Sequence, residues 1–112
     1  MISDDDVDRA LDWLVSNGRR AAQARANRVY MEEFRKTVKA RLMQEAIQKG
    51  VGAIGAQEAY AYAHPDYIAH LTAIKQAVEA DEEARWNQIA AQARIEAWRT
   101  MSSNQRAQGK VG

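Results

Sequence analysis

Five cations recur at helical spacing in the first half of the chain: Arg25, Arg28, Arg35, Lys36 and Lys39. On a helix they fall within about 100° of one another, with Glu32 among them. At about 1.5 Å per residue they make a basic ridge ~20 Å long. Such a ridge suits several backbone phosphates of a nucleic acid, contacts that give affinity without sequence choice. Arg19 and Arg20 extend it, and Arg106 and Lys110 near the C-terminus offer a clamp over it. On this reading the partner is DNA, single- or double-stranded. A second reading accounts for the same residues. Glu32 lies four positions from both Arg28 and Lys36, and Asp81, Glu82 and Glu83 are available to neutralise more of the ridge. The pattern then becomes a solvated ion-pair ladder or a subunit face.

The other residues with chemistry to offer reach less far. "HPDYIAH" places His64, Asp66 and His70 near one helix start. Zinc needs three or four converging ligands, often as i,i+3 or i,i+4 pairs. A separation of six mismatches the two faces, and Pro65 fixes His64 outside the helix, so capping or surface histidines are expected and no metal. Tyr60, Tyr62 and Tyr67 suit either stacking on bases or packing at the turn end of a hairpin. Trp98, between Arg94 and Arg99, shares a face with Ile95 and Ala91, which points to a subunit interface; Trp13 and Trp86 read as packing residues. Cysteine is absent, which removes thiolate metal sites and cysteine nucleophiles. There is no Gly-rich phosphate loop, no nucleophile elbow and no Ser/His/Asp set at a known spacing. The paired carboxylates of "SDDDVD" and "ADEEAR" are explained by a helix start and a solvated face. The expectation is a protein that is not an enzyme and takes no cofactor.

The elements that carry these residues follow from composition and period. Twenty-two of the 112 residues are alanine, whereas Leu, Ile, Val and Phe together number 19. That poverty of large apolar residues would suggest disorder at high net charge, but the net charge is only +1 and the apolar residues are periodic. A helical protein with thin, alanine-lined contacts, completed by a second copy, fits better. Ser3 is a good N-cap, and Asp4, Asp5 and Asp6 sit where a helix start favours negative charge. Val7, Leu11 and Leu14 then follow at helical spacing, and the stripe continues onto Gly18 and Ala22 without a reset. "NGRRAAQARANR" therefore reads as uninterrupted helix, with Gly18 facing inward as a close contact. A second stripe of Met31, Phe34, Val38 and Leu42 lies on nearly the opposite side, which implies a further neighbour. Lys49 and Gly50 end the helix, with the glycine at C′. From Ser3 to Lys49 such a helix is on the order of 70 Å long.

Residues 50–64 form a connector in which "AQEAYAYA" can make two turns of helix. Pro65 opens a second long helix running to about Ser103. Its main stripe is Leu71, Ile74, Val78, Glu82, Trp86, Ile89, Ala93 and Ala97; a second face carries Ala84, Ala91, Ile95 and Trp98. Residues 104–112 are polar and expected to fray. The predicted fold is all-α: one domain over 1–112, with two long helices in an antiparallel, coiled-coil-like hairpin. Stripe steps of 4, 4 and 3 around Glu82 depart from a strict heptad, so the winding should be loose, and two copies should close into a four-helix arrangement.

Charge is uneven: residues 1–12 carry a net −4, residues 17–50 a net +6, and the remainder nearly cancels. The acidic start does not resemble a signal peptide, and no apolar run approaches the ~20 residues of a membrane span. A soluble, cytoplasmic protein is expected.

The segments "DDDVDRALDWLV", "AAQARANRVYMEEFRKTVKARLM", "AYAHPDYIAHL" and "AVEADEEARWNQIAAQARIEAWRTMSSNQRA" together resemble a family of small helical proteins encoded by tailed phages and prophages among recombination and replication genes. The resemblance covers nearly the whole chain. It implies an accessory role in phage DNA metabolism in the bacterial host cell, with a phage or host recombination protein as a partner, and it carries no catalytic residues. Two functions follow. One is a homodimeric DNA-binding accessory using the ridge. The other is a protein-interaction module, an assembly factor or an inhibitor of a host protein, that captures partners through Met31, Phe34 and Val38 or through Ile95 and Trp98 without binding nucleic acid.

Overall fold

A computed structural model contains three helices, α1 (Asp4–Gln48), α2 (Ile54–Ala63) and α3 (Pro65–Val111). The structure describes residues 2–111, and the side chains of residues 2–109. No strand occurs among the described residues. α1 and α3 pack against each other as a helical hairpin, as the sequence predicts.

Each boundary has a local cause. At the start of α1 the Ser3 backbone N–H donates to Asp6 Oδ2 at 2.9 Å, and the Asp6 N–H donates to Ser3 Oγ at 3.2 Å. This reciprocal cap satisfies two N–H groups that the helix start leaves open. The Ser3 N–H, then Arg9, then the Ser3 hydroxyl hold the Asp6 carboxyl at about 2, below its ordinary 3.8. α1 then runs through Asn17-Gly18 unbroken. It stops at Gly50, whose φ is +89°. Gly50 N–H donates to the Ile47 carbonyl and Val51 N–H to the Ala46 carbonyl, each at 3.0 Å. That pair of bonds is a Schellman stop, and its left-handed residue favours glycine. Gln57, buried, folds its side chain back to donate to the Val51 and Gly52 carbonyls at 2.9 and 3.3 Å, which pins α2 to the connector. His64 ends α2 and caps α3, its Nδ1 accepting from the Asp66 N–H at 3.0 Å.

α3 continues eight residues past the predicted end near Ser103, and the tail expected to fray is helical as far as Val111. Gln, Arg, Ala and Lys are good helix formers, and Gly109 alone costs only ~1 kcal/mol. The Arg106 guanidinium reaches back one turn to Ser103 Oγ at 3.4 Å.

Contacts divide the hairpin, expected as a single domain, into two compact units. Unit 1 comprises Met1–Ala22 with Glu82–Gly112, and unit 2 comprises Gln23–Asp81. In unit 2 the buried and half-buried positions of α1 include Ala24, Arg28, Met31, Phe34, Val38, Leu42 and Ala46, and those of α3 include Tyr67, His70, Ile74, Ala77 and Asp81. Val38, Leu42, Ala61 of α2 and Tyr67 form a core cluster, with Phe34 and Met43 against it. In unit 1 the corresponding positions are Val7, Ala10, Leu14, Asn17 and Ala21 on α1 and Ala84, Gln88, Ala91, Ile95 and Trp98 on α3.

These positions include the predicted α1 residues Val7, Leu14, Met31, Phe34, Val38 and Leu42 and the predicted second face of α3, Ala84, Ala91, Ile95 and Trp98, and they correct the main α3 stripe and Leu11. Steps of 3 and 4 alternate along α1 from Val7 to Met31 and along α3 from Tyr67 to Trp98, so the seam keeps a regular heptad spacing. The stripe predicted on α3 follows the larger side chains instead; of these Leu71, Trp86 and Ile89 are exposed at 41%, 60% and 39%, so Trp86 is not a packing residue within the hairpin. Leu11 is likewise 45% exposed. Gly18 is not a close contact either, because a Cβ built there meets nothing within 4 Å. The seam was taken over by alanine and by polar residues that a search for large apolar side chains passes by.

Candidate interaction surfaces

The ridge residues lie on α1, and the structure assigns them different tasks. In unit 2 the Arg28 Nε donates to Glu32 Oε1 at 2.9 Å and its Nη1 to Asp81 Oδ2 at 3.1 Å. Asp81 is only 8% exposed, and a buried carboxylate needs a hydrogen-bonded partner charge. Arg28 is therefore a structural residue of the seam. Lys36 pairs with Glu33 at 3.0 Å, both side chains well exposed, a contact worth little to stability. Lys39 stands 3.7 Å from Glu58 Oε1 and 4.9 Å from the centre of the Tyr62 ring. A hydrogen bond with Tyr62, and then the Glu58 charge, raise its pKa above the ordinary lysine value. Arg25 and Arg35 are exposed, and no ion pair joins either of them among the described residues. Arg19 and Arg20, exposed in the same way, belong to unit 1. The Lys110 side chain lies outside the described residues. Counted over unit 2, eight basic residues face seven acidic ones, so the net +4 of residues 23–50 is largely offset by the net −3 of residues 51–81, whose acids lie on α2 and α3.

One cleft of unit 2 departs from that balance. Arg35, Lys36 and Lys39, within little more than one turn of α1, line a cavity of about 370 Å³ together with Tyr62 of α2 and Tyr67 of α3. No carboxylate lines it. Tyr67, 8% exposed, meets Tyr62 edge-on with ring centres 5.2 Å apart, and Tyr62 is 46% exposed. The hairpin's turn end thus uses Tyr67 for packing and leaves much of the Tyr62 ring open. Tyr60 turns to the connector, with its ring 5.8 Å from that of His64.

The residues expected to form a partner face are mostly occupied within the chain. Val38 is 4% exposed and Phe34 packs on the same core cluster. Met31 is half-buried in the seam, and its carbonyl accepts from His70 Nε2 at 2.7 Å. Val38 is therefore covered by its own unit, and Met31 and Phe34 keep only part of their surface open. In unit 1 Ile95 is half-buried, and Trp98 donates from Nε1 to Asp4 Oδ1 at 2.6 Å.

The apolar surface that remains open in unit 1 lies elsewhere. Leu11 and Val15 are 45% and 86% exposed, and Trp86 and Ile89 60% and 39%. In an antiparallel helix pair the flank one or four residues past each seam position on one helix adjoins the same flank of its partner. Leu11 follows seam residue Ala10 and Val15 follows Leu14, while Ile89 follows Gln88. The three share one side, and Trp86 lies at its edge on α3, with the Arg85 guanidinium 5.3 Å from its ring centre. The Asp4–Trp98 contact sets the register and puts Val15 and Trp86 at nearly the same height. Pattern reading named neither Val15 nor Trp86 as a partner residue; the signal was there in their departure from the alanine seam.

Among the described residues no group of three or more His, Asp or Glu side chains is placed to hold a metal ion. No helix is long and apolar enough to cross a membrane. No family model, no curated protein and no solved structure matches this chain. The phage accessory role implied by resemblance therefore rests on the quoted segments alone.

Proposed function

We propose that the protein is a helical assembly module whose first partner is a second copy of itself, docked on the open apolar side of unit 1. The observation that carries this is the exposure of Val15, Leu11 and Ile89 on one flank of unit 1, with Trp86 open on the adjoining outer face of α3. Clustered exposure of this kind marks an interaction site, where single exposed apolar residues do not. Charge favours a second copy as the occupant. By sequence, unit 1 carries eight acidic and eight basic residues, so two copies do not repel. The acids also lie apart from the bases. Asp8 and Asp12 flank the apolar residues on one side and Arg19 on the other, all three exposed. A twofold axis near Val15 sets Asp12 of each copy against Arg19 of the other and buries both copies of Val15 at the centre, with Trp86 at the margin, the self-complementary form that a twofold contact requires.

Analytical ultracentrifugation tests the proposal. The wild-type chain is expected to sediment as a dimer at micromolar concentration, and Val15→Glu and Trp86→Glu each as a monomer of unchanged helicity. A wild-type chain that stays monomeric at 100-fold higher concentration, or variants that sediment as the wild type does, would overturn it. The nucleic-acid reading keeps one specific support, the cation-lined cleft of unit 2.

A further inference from the structure

We infer that the cleft between α1, α2 and α3 of unit 2 binds a nucleoside monophosphate, with its phosphate on Arg35, Lys36 and Lys39 and its base on Tyr62. This goes beyond self-assembly and rests on different residues. Three cations converge on one cavity that no carboxylate lines, which selects an anionic ligand. Their present partners are easily exchanged. Lys36 and Glu33 are exposed at 74% and 69%, and Lys39 meets Glu58 only at 3.7 Å. Arg35 has no acid to leave, and its planar fork matches two oxygens of one phosphate.

The tyrosines narrow the class further. A bare anion site needs no aromatic wall, yet Tyr62 presents a ring nearly half exposed, braced from the edge by buried Tyr67. An aromatic ring beside a cluster of cations is the arrangement by which proteins hold the base and phosphate of one nucleotide. Size agrees, since about 370 Å³ is at the small end of the ~300–1,000 Å³ range of ligand sites. That suits one nucleotide and excludes a dinucleotide cofactor. The nucleotide can come free in solution or as one unit of a single strand.

Isothermal titration of the full chain with AMP, inorganic phosphate, adenosine and a ten-residue thymidine oligonucleotide separates the possibilities. AMP is expected to bind at least tenfold more tightly than either phosphate or adenosine. Arg35→Gln and Tyr62→Ala should each weaken AMP at least fivefold, with helicity and sedimentation unchanged; Tyr62→Phe, which keeps the ring, should stay within twofold of wild type. An oligonucleotide that displaces AMP supports the strand as the natural source, and AMP binding that the oligonucleotide does not disturb supports the free nucleotide. Phosphate binding as tightly as AMP, AMP binding insensitive to both Arg35→Gln and Tyr62→Ala, or no binding by any of the four, overturns the inference.

Discussion

In unit 2 the side chains that meet inside the hairpin are large: Phe34, Val38, Leu42 and Tyr67, with Ala61 of α2 closing the cluster. In unit 1 the most buried are Val7, Ala10 and Ala91, while Val15 and Trp86 stand in solvent. Both units use the same two helices, with steps of 3 and 4 between buried positions. What differs is where the apolar bulk goes. Burying a large aliphatic or aromatic side chain stabilises by roughly 1.5–3 kcal/mol, so unit 2 can be closed by its own residues. Unit 1 has placed its bulk on the outside, and the same driving force becomes available only when something covers it. An alanine seam thus lets one face of a helix serve the fold while another serves a partner.

The comparison can be broken most directly at Leu42, 2% exposed. Leu42→Ala should destabilise the chain by about 3 kcal/mol, the cost of lost burial plus the cavity left behind. Val15→Ala should change the monomer by less than about 0.5 kcal/mol, as exposed positions do. Urea unfolding followed by circular dichroism, at a concentration below dimer formation, measures both. Equal losses at the two positions would mean that unit 1 is closed by its large side chains after all.

Next in size is the charged part of unit 2's seam. Arg28→Met leaves Asp81 buried without this partner and should cost about 1–3 kcal/mol. Asp81→Asn in the same background should return part of that loss, because an amide is cheaper to bury than a carboxylate. A double-mutant cycle on the same unfolding curves reads the coupling, and a coupling near zero would return Arg28 to the ridge.

The second-copy reading is sharpened by charge exchange. Arg19→Glu should weaken dimerisation about two- to fivefold, the scale of an exposed ion pair. Adding Asp12→Arg should restore it, since the pair is then rebuilt in reverse. If the double variant is no tighter than Arg19→Glu, the twofold is centred away from Val15. The smallest effect concerns the acid limb. The Asp6 pKa is lowered to about 2 from 3.8, so its stabilisation of the first turn is full above 3.8 and is lost as pH falls through about 2. Asp6→Asn should flatten the fall in helicity between pH 4 and 2, and core residues of unit 2 should show no such change in amide exchange over that range.

Much of the fold was legible because particular residues allow few alternatives. Ser3 with Asp6, Gly50 at the end of α1, and Pro65 at the start of α3 each sit where helix ends require them, and the helical connector and hairpin follow. Asn17-Gly18 was rightly read as helix, since one glycine costs less than a whole seam gains. The buried face was legible in part: Met31, Phe34, Val38 and Leu42 on α1 and Ala84, Ala91, Ile95 and Trp98 on α3 stood out as faces, but which α3 face meets α1 did not. Seventeen of the alanines fall on several sides of the two long helices and carry little direction, so the larger residues Leu11, Leu71 and Trp86 seemed to define a stripe that the seam does not follow. Which ridge cations are paired across helices was not legible for a related reason. Arg25, Arg28, Arg35, Lys36 and Lys39 do share a side of α1, but Asp81 and Glu58 reach it from helices far along the chain, and a helical wheel contains no information about them. The cleft combines three predicted ridge residues with two tyrosines named separately, and only the turn between α2 and α3 joins the two sets.

The Trp98–Asp4 hydrogen bond joins residues 94 apart in the chain, whereas Arg28 and Asp81 are 53 apart. Closing the longer loop costs more entropy and comes later in folding. During synthesis unit 2 can close once Asp81 has cleared the ribosome, while the first twenty-two residues have no partner helix until the second half of α3 is made. In that interval Val7 and Ala10, destined for the seam, are as bare as Leu11 and Val15. Val7 and Ala10 therefore wait for their partners until nearly the whole chain is made, whereas Val38 and Leu42 meet Ala61 and Tyr67 much earlier in the sequence.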